Sequence, residues 1–250
     1  FLKEIDDMDY DYYFQMTITD YEDDIEENLP DMAASMATFL LMSERLGKER
    51  IDWRFDPILL TKKYTIAYHL EKFELMCEWL HHATTRCIIS FVDSGRESPY
   101  LELEREEMVE LAKGLSDIAR RYQLPLYTCA EKIDLSKYGI MHGSCIDKEK
   151  IHQLIGYKLD LKKDTGQRRE CRCVESIDIG MYDTCIHGCK YCYANSGLES
   201  AKKKNQQHDA KSPLLIGHLK GDEVITDREV KSSRDNQISL FDLPEMYSSF

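Results

Sequence analysis

Residues 50–57 read RIDWRFDP, an alternating run that sets Trp53 and Phe55 on one side of a strand and Arg54 and Asp56 on the other. Downstream, Ile66, Leu70, Phe73, Cys77 and Leu80 fall on one helical stripe. Residues 87–93 (CIISFVD) then form a short apolar run of the kind that is buried on both faces of a sheet. Strand, helix and strand at this spacing call for parallel pairing with the helix packed outside.

The same alternation extends in both directions. Residues 10–19 (YDYYFQMTIT) are aromatic and β-branched and read as a strand. Asp31 is expected to cap a helix carrying Met36, Phe39, Leu40 and Leu46, with Gly47 as its stop. Met108, Leu111, Leu115, Ile118 and Tyr122 mark a third helix, and residues 124–131 (LPLYTCAE) a fourth strand. Asp147 starts a short helix ending at Gly156, and residues 174–180 (VESIDIG) read as a fifth strand. The fold class expected is α/β. It is either a doubly wound sheet or, the preferred layout, a (β/α) barrel, with two strand–helix units missing before Phe1. Residues 1–195 form this barrel-like domain. Residues 196–250 bring a polar linker (197–212), a small hairpin turning at Gly221–Asp222, and a flexible tail.

Of 250 residues, 33 are basic and 46 acidic, a net charge of −13. Twelve of the acids stand in residues 1–31 against one lysine, so the excess is a local solvated segment. No apolar run approaches the roughly 18 residues that span a bilayer. Nine cysteines, three of them clustered, favour metal ligation in a reducing compartment, the cytoplasm, over disulfides.

Those three, Cys185, Cys189 and Cys192, lie in TCIHGCKYCYAN (184–195) at C-x3-C-x2-C spacing. Thiolates select soft metals, and Gly188 lets the backbone turn tightly around one. A structural zinc needs four ligands, and this loop offers three. A four-iron cluster on three cysteines instead leaves one iron open.

The loop resembles the cluster loop of radical S-adenosylmethionine enzymes, and HGCKYCYA is most similar to the spore photoproduct lyase subgroup. More of the chain resembles an uncharacterised bacterial family, domain of unknown function 1848, through ITDYEDDIEENLP, DWRFDPILLT, ISFVD, YTCAEKIDLSKYGIMHGSCID and CVESIDIGMYDTCIHGCKYCYAN. The radical-enzyme resemblance implies a [4Fe-4S] cluster on Cys185, Cys189 and Cys192, with S-adenosylmethionine on the fourth iron and Tyr191 beside the cofactor. It implies reductive cleavage of that cofactor and radical chemistry on a substrate, with nucleic acid favoured. In ordinary members the cysteine loop follows the first barrel strand, whereas here it follows the last. A circularly permuted order would restore the equivalence.

Cys77 and Cys87 sit on apolar faces and read as core. Cys129, Cys145, Cys171 and Cys173 do not, and four thiols suffice for a second cluster or a structural zinc. Alternatively, one of them completes the first centre. Arg54, Asp56 and Glu131 lie at strand ends, where α/β folds bind ligands, and are candidates for catalysis or substrate binding. The alternative is that they pair with neighbouring charges. Gln237, Leu240 and Phe241 in QISLF resemble the peptide by which bacterial polymerases and repair proteins dock on the DNA sliding clamp. A different class of function also fits these features: a non-enzymatic metal-binding or electron-transfer protein recruited through its tail.

Overall fold

The structure is a computed structural model that describes residues 2–93 and 100–235. Five strands form one wholly parallel sheet: β1 (Phe14–Thr17), β2 (Ile51–Ile58), β3 (Cys87–Phe91), β4 (Leu126–Cys129) and β5 (Ile140–Gly143). Their spatial order is their sequence order, β1-β2-β3-β4-β5. A doubly wound sheet reverses direction partway; this one never does. Right-handed crossovers that always step the same way put their helices on one face.

Those helices are α2 (Met32–Leu46), α3 (Ile66–Leu80) and α4 (Arg105–Arg121), while a short α1 (Leu2–Asp7) precedes β1. Asp31 caps α2 by accepting the Ala34 N–H at 2.7 Å, and Gly47, at φ +88°, ends it as expected. Under the helices lies the core. Trp53 stacks on Phe73 with ring centres 5.1 Å apart, Phe55 lies 5.2 Å from Phe73, and Leu111, Ala112 and Leu115 are wholly buried. Full burial of such side chains contributes about 1.5–3 kcal/mol each.

The opposite face carries Gln15, Asp52, Arg54 and Asp56, and a parallel sheet must be covered there too. The chain leaving β5 does this, through residues 144–147 and α5 (Lys148–Ile155). Asp52, fully buried, takes Lys150 Nζ at 2.6 Å and Arg86 Nη2 at 2.8 Å, and Arg86 also pairs with Asp147, the cap of α5. Tyr13 and Gln15, the latter at 2.9 Å, both donate to the Cys145 carbonyl. The segment that begins at one edge of the sheet is thereby tied to the other edge. β1 and β5 are not hydrogen-bonded to each other among the described residues.

Several expectations are corrected. β2 is not confined to residues 50–57 but starts at Ile51 and runs through a cis Asp56–Pro57 bond to Ile58, with its register to β3 broken between Phe55 and Ile58. Proline within a sheet belongs at such an irregularity. The fifth strand is Ile140–Gly143, not residues 174–180. There Asp178 Oδ1 accepts the Gly180 N–H at 2.7 Å in a local turn, and Ile177 and Ile179 are exposed. The polar stretch 197–212 contains a helix, α6 (Leu198–Asn205). The hairpin at Gly221–Asp222 does not form: Glu223 turns the chain by accepting the Lys220 N–H at 2.7 Å, but Val224 and Ile225 stay exposed without strand partners. No helix among the described residues is long and apolar enough to cross a membrane.

Candidate functional site

The sheet gathers the predicted strand-end residues at one place. Arg54 spends its donors within the group. Nε meets Asp56 Oδ1 at 3.1 Å, Nη2 meets Asp56 Oδ2, and Nη1 reaches Gln15 Oε1 at 3.0 Å and Cys145 Sγ at 2.7 Å. Asp56 also accepts from Ser90 Oγ at 3.2 Å. Burial works against the Arg54 charge, but Asp56 and the neighbouring thiols outweigh it and hold the guanidinium protonated.

Beside Arg54, Cys129 Sγ and Cys145 Sγ stand 3.1 Å apart. Cys173 neighbours both Cys145 and Cys171, and each of these thiols shifts the titration of the next. The four cysteines that left the apolar faces, drawn from three separate segments, therefore lie as one group of neighbouring thiols, with Cys129 and Cys145 in direct contact. The hydrogen bond from Cys145 lowers the Cys129 thiol to about 7, with Arg54 assisting and burial opposing. Backbone groups fix the far end: Ile146 N lies 3.4 Å from Cys173 Sγ, and Cys173 N lies 3.5 Å from Cys171 Sγ.

Glu131 accepts the Phe91 N–H at 2.8 Å, and burial pushes its carboxyl up to about 7. A carboxyl so poised exchanges a proton near neutrality.

The C-x3-C-x2-C loop lies elsewhere in sequence but is docked on the segment that leaves β1. Lys190 N donates to Ile25 O at 3.0 Å and Asn28 N to His187 O at 3.1 Å. Tyr191 is partly buried, with its ring 6.2 Å from Tyr21 and its hydroxyl 2.5 Å from Glu26 Oε1. Glu26 is itself 4% exposed and takes Thr19 Oγ1 at 2.8 Å, and burial raises its carboxyl above the usual range. Tyr191 thus serves as the loop's anchor. Gly188 has φ +73°, and a Cβ there would meet Asn28 Nδ2 at 3.3 Å, so glycine answers both to the turn and to the close approach. Asp183 closes the base of the loop by accepting from Ser196 Oγ at 2.8 Å, and Asn195 Nδ2 donates to the Cys185 carbonyl at 2.6 Å.

Cys185 is exposed, whereas Cys189 and Cys192 are half-buried. Burial raises the Cys189 thiol to about 11, so a metal there would displace its proton. Among the described residues no three His, Cys, Asp or Glu side chains already stand as a metal-binding group. Even so, the donor set fits an iron–sulfur centre: three soft ligands on a short, glycine-turned loop whose backbone is anchored on both sides.

Sequence reasoning missed Glu26 and Asn28. Both lie in the acidic run 20–30, where their neighbours suggested only a solvated face. Gln237, Leu240 and Phe241 fall outside the described residues.

The family described as DUF1848, a domain of unknown function, matches residues 1–194. No curated protein and no solved structure matches the chain.

Proposed function

The chain belongs to the DUF1848 family, and on that footing we propose that it is an iron–sulfur enzyme of the radical S-adenosylmethionine type acting on a nucleic-acid substrate. The family's description names no reaction, so the reading stands on the chemistry of the site. Cys185, Cys189 and Cys192 would hold a [4Fe-4S] cluster. Bound there, it would supply the electron that cleaves S-adenosylmethionine and so opens hydrogen-abstraction chemistry.

The observation that carries this reading is where the loop docks. Although it comes after every strand in the sequence, it lies against residues 25–28, which follow β1. In the enzymes it resembles the cluster loop follows a barrel strand directly; here it packs against the segment that follows one. Two further features support a barrel-like frame: the unreversed strand order, and the ties from Tyr13 and Gln15 beside the first strand to Cys145 just past the last.

The protein's own residues then divide the work. Lys190 and Asn28 hold the loop by its backbone, and Tyr191 pins it to Glu26. Glu131 can take or return a proton near neutral pH. Arg54 and Asp56 are satisfied by each other and by Cys145, so they position the strand-end thiols. α6 carries Lys202, Lys203 and Lys204 in its last turn, and Lys204 reaches the base of the loop, with Nζ on the Tyr182 carbonyl at 2.9 Å and 3.5 Å from Asp183 Oδ2. Positive charge at that place suits a phosphate backbone.

The test is cofactor cleavage. Anaerobically reconstituted protein, reduced with dithionite and given S-adenosylmethionine, should release 5′-deoxyadenosine, and the C185A/C189A/C192A variant should not. Failure of the reconstituted wild type to release it would refute the assignment.

A further inference from the structure

We infer that the protein has a second metal site, separate from the 185–192 loop, in which Cys129, Cys145, Cys171 and Cys173 bind one soft metal centre through four thiolates. The ligand chemistry is that of a structural zinc or a four-iron cluster.

Three observations carry it. First, the sulfurs converge although the chain does not require it: Cys129 ends β4, Cys145 follows β5, and Cys171 and Cys173 come from a distant loop. Isolated core cysteines would be spread over apolar surfaces, as Cys77 and Cys87 are. Second, hydrogen-bond donors point at the sulfurs. Arg54 Nη1 lies 2.7 Å from Cys145, Ile146 N 3.4 Å from Cys173, and Cys173 N 3.5 Å from Cys171. Donors around sulfur support metal-bound thiolates. Third, four thiolates around a dication carry a net negative charge, and the Arg54 guanidinium, held by Asp56 through Nε and Nη2, turns its remaining Nη1 toward the group at Cys145.

For zinc the Cys129–Cys145 contact needs only a small adjustment, whereas a four-iron cluster, with its cysteine sulfurs about 6 Å apart, would require that contact to open by about 3 Å. With zinc–sulfur bonds of about 2.3 Å, tetrahedral sulfurs stand about 3.8 Å apart. The Cys129–Cys145 pair at 3.1 Å must therefore open by less than about 1 Å. A disulfide would require the same pair to close by about 1 Å and would leave Cys171 and Cys173 without a role.

The C185A/C189A/C192A variant isolates this site from the one proposed above. Purified without oxygen and analysed for zinc, iron and sulfide, it should keep about one zinc, or about four irons with matching sulfide, per chain. Either result supports the site and identifies its metal. Adding C129S and C145S should lower the content below about a tenth of that. Should this variant misfold, alkylation of the folded C185A/C189A/C192A protein gives the same information: Cys129, Cys145, Cys171 and Cys173 should be shielded together and become reactive together when a chelator is added. A folded C185A/C189A/C192A protein without metal would overturn the inference. So would an intact mass two hydrogens light with a peptide mapping the loss to a Cys129–Cys145 disulfide. Neither outcome bears on whether the 185–192 loop cleaves its cofactor.

Discussion

The two sulfur-rich regions are built differently. Cys129, Cys145, Cys171 and Cys173 are buried or half-buried, tied to the sheet through Arg54 and flanked by backbone donors. The 185–192 loop is an excursion. It is closed at its base by Asp183 and docked through a few contacts to residues 25–28, with Ile186 and Tyr193 left exposed. A group set in the sheet is coupled to global stability. One hung on a loop can bind and release ligands at little cost to the fold.

Removing the loop thiols should therefore separate activity from stability. C185A/C189A/C192A should lose 5′-deoxyadenosine release by at least about 100-fold, yet its thermal midpoint should move by no more than about 2 °C, since little is buried there. A large drop in midpoint would mean that the loop is part of the core. Asp52→Ala attacks the other region. Stripping Lys150 and Arg86 of a buried carboxylate should cost about 3–5 kcal/mol in urea unfolding and release α5 from the sheet.

Smaller effects test the docking contact. Tyr191→Phe removes the bond to Glu26 and should cost about 1–2 kcal/mol locally. Hydrogen exchange at the Lys190 amide should speed up while exchange in β3 is unchanged. Equal acceleration in both would show the loop and sheet to be one cooperative unit.

The smallest effect concerns pH. His69 is 2% exposed, lies 5.8 Å from Tyr21 beneath the docking surface, and bonds Leu59 O at 2.7 Å. Burial lowers its pKa, so below about pH 6.5 the unfolded chain takes up a proton that the folded chain refuses. Its contribution to stability is present above that pH and is lost as the pH falls, by up to about 1.4 kcal/mol per pH unit. The slope of stability between pH 7 and 5.5 should be shallower in His69→Gln.

Much of the fold was legible where side-chain period and burial agree. The Phe73 stripe and the alternation around Trp53 both marked true core faces. The misread strands failed for local reasons. In residues 174–180 the isoleucines alternate, but Asp178 captures the backbone and turns it. β5 hides in the four residues Ile140–Gly143 just after Gly139, where a Cβ at Gly143 would come within 2.9 Å of Tyr127. That close approach is visible only in three dimensions. The grouping of Cys129, Cys145, Cys171 and Cys173 could be suspected from what those residues were not, namely members of an apolar face. Their actual contact depends on the return of the chain across the sheet after β5. Glu26 could not be told from its eleven acidic neighbours until Tyr191 came to rest on it.

The most direct test of the loop assignment is electron paramagnetic resonance of the reduced, oxygen-protected C129S/C145S protein, recorded with and without S-adenosylmethionine. Three protein ligands leave a coordination place for the added molecule, so the cluster signal should change shape and position when it is added. A signal that is identical in both samples would mean a centre already filled by the protein, and the radical mechanism would be wrong.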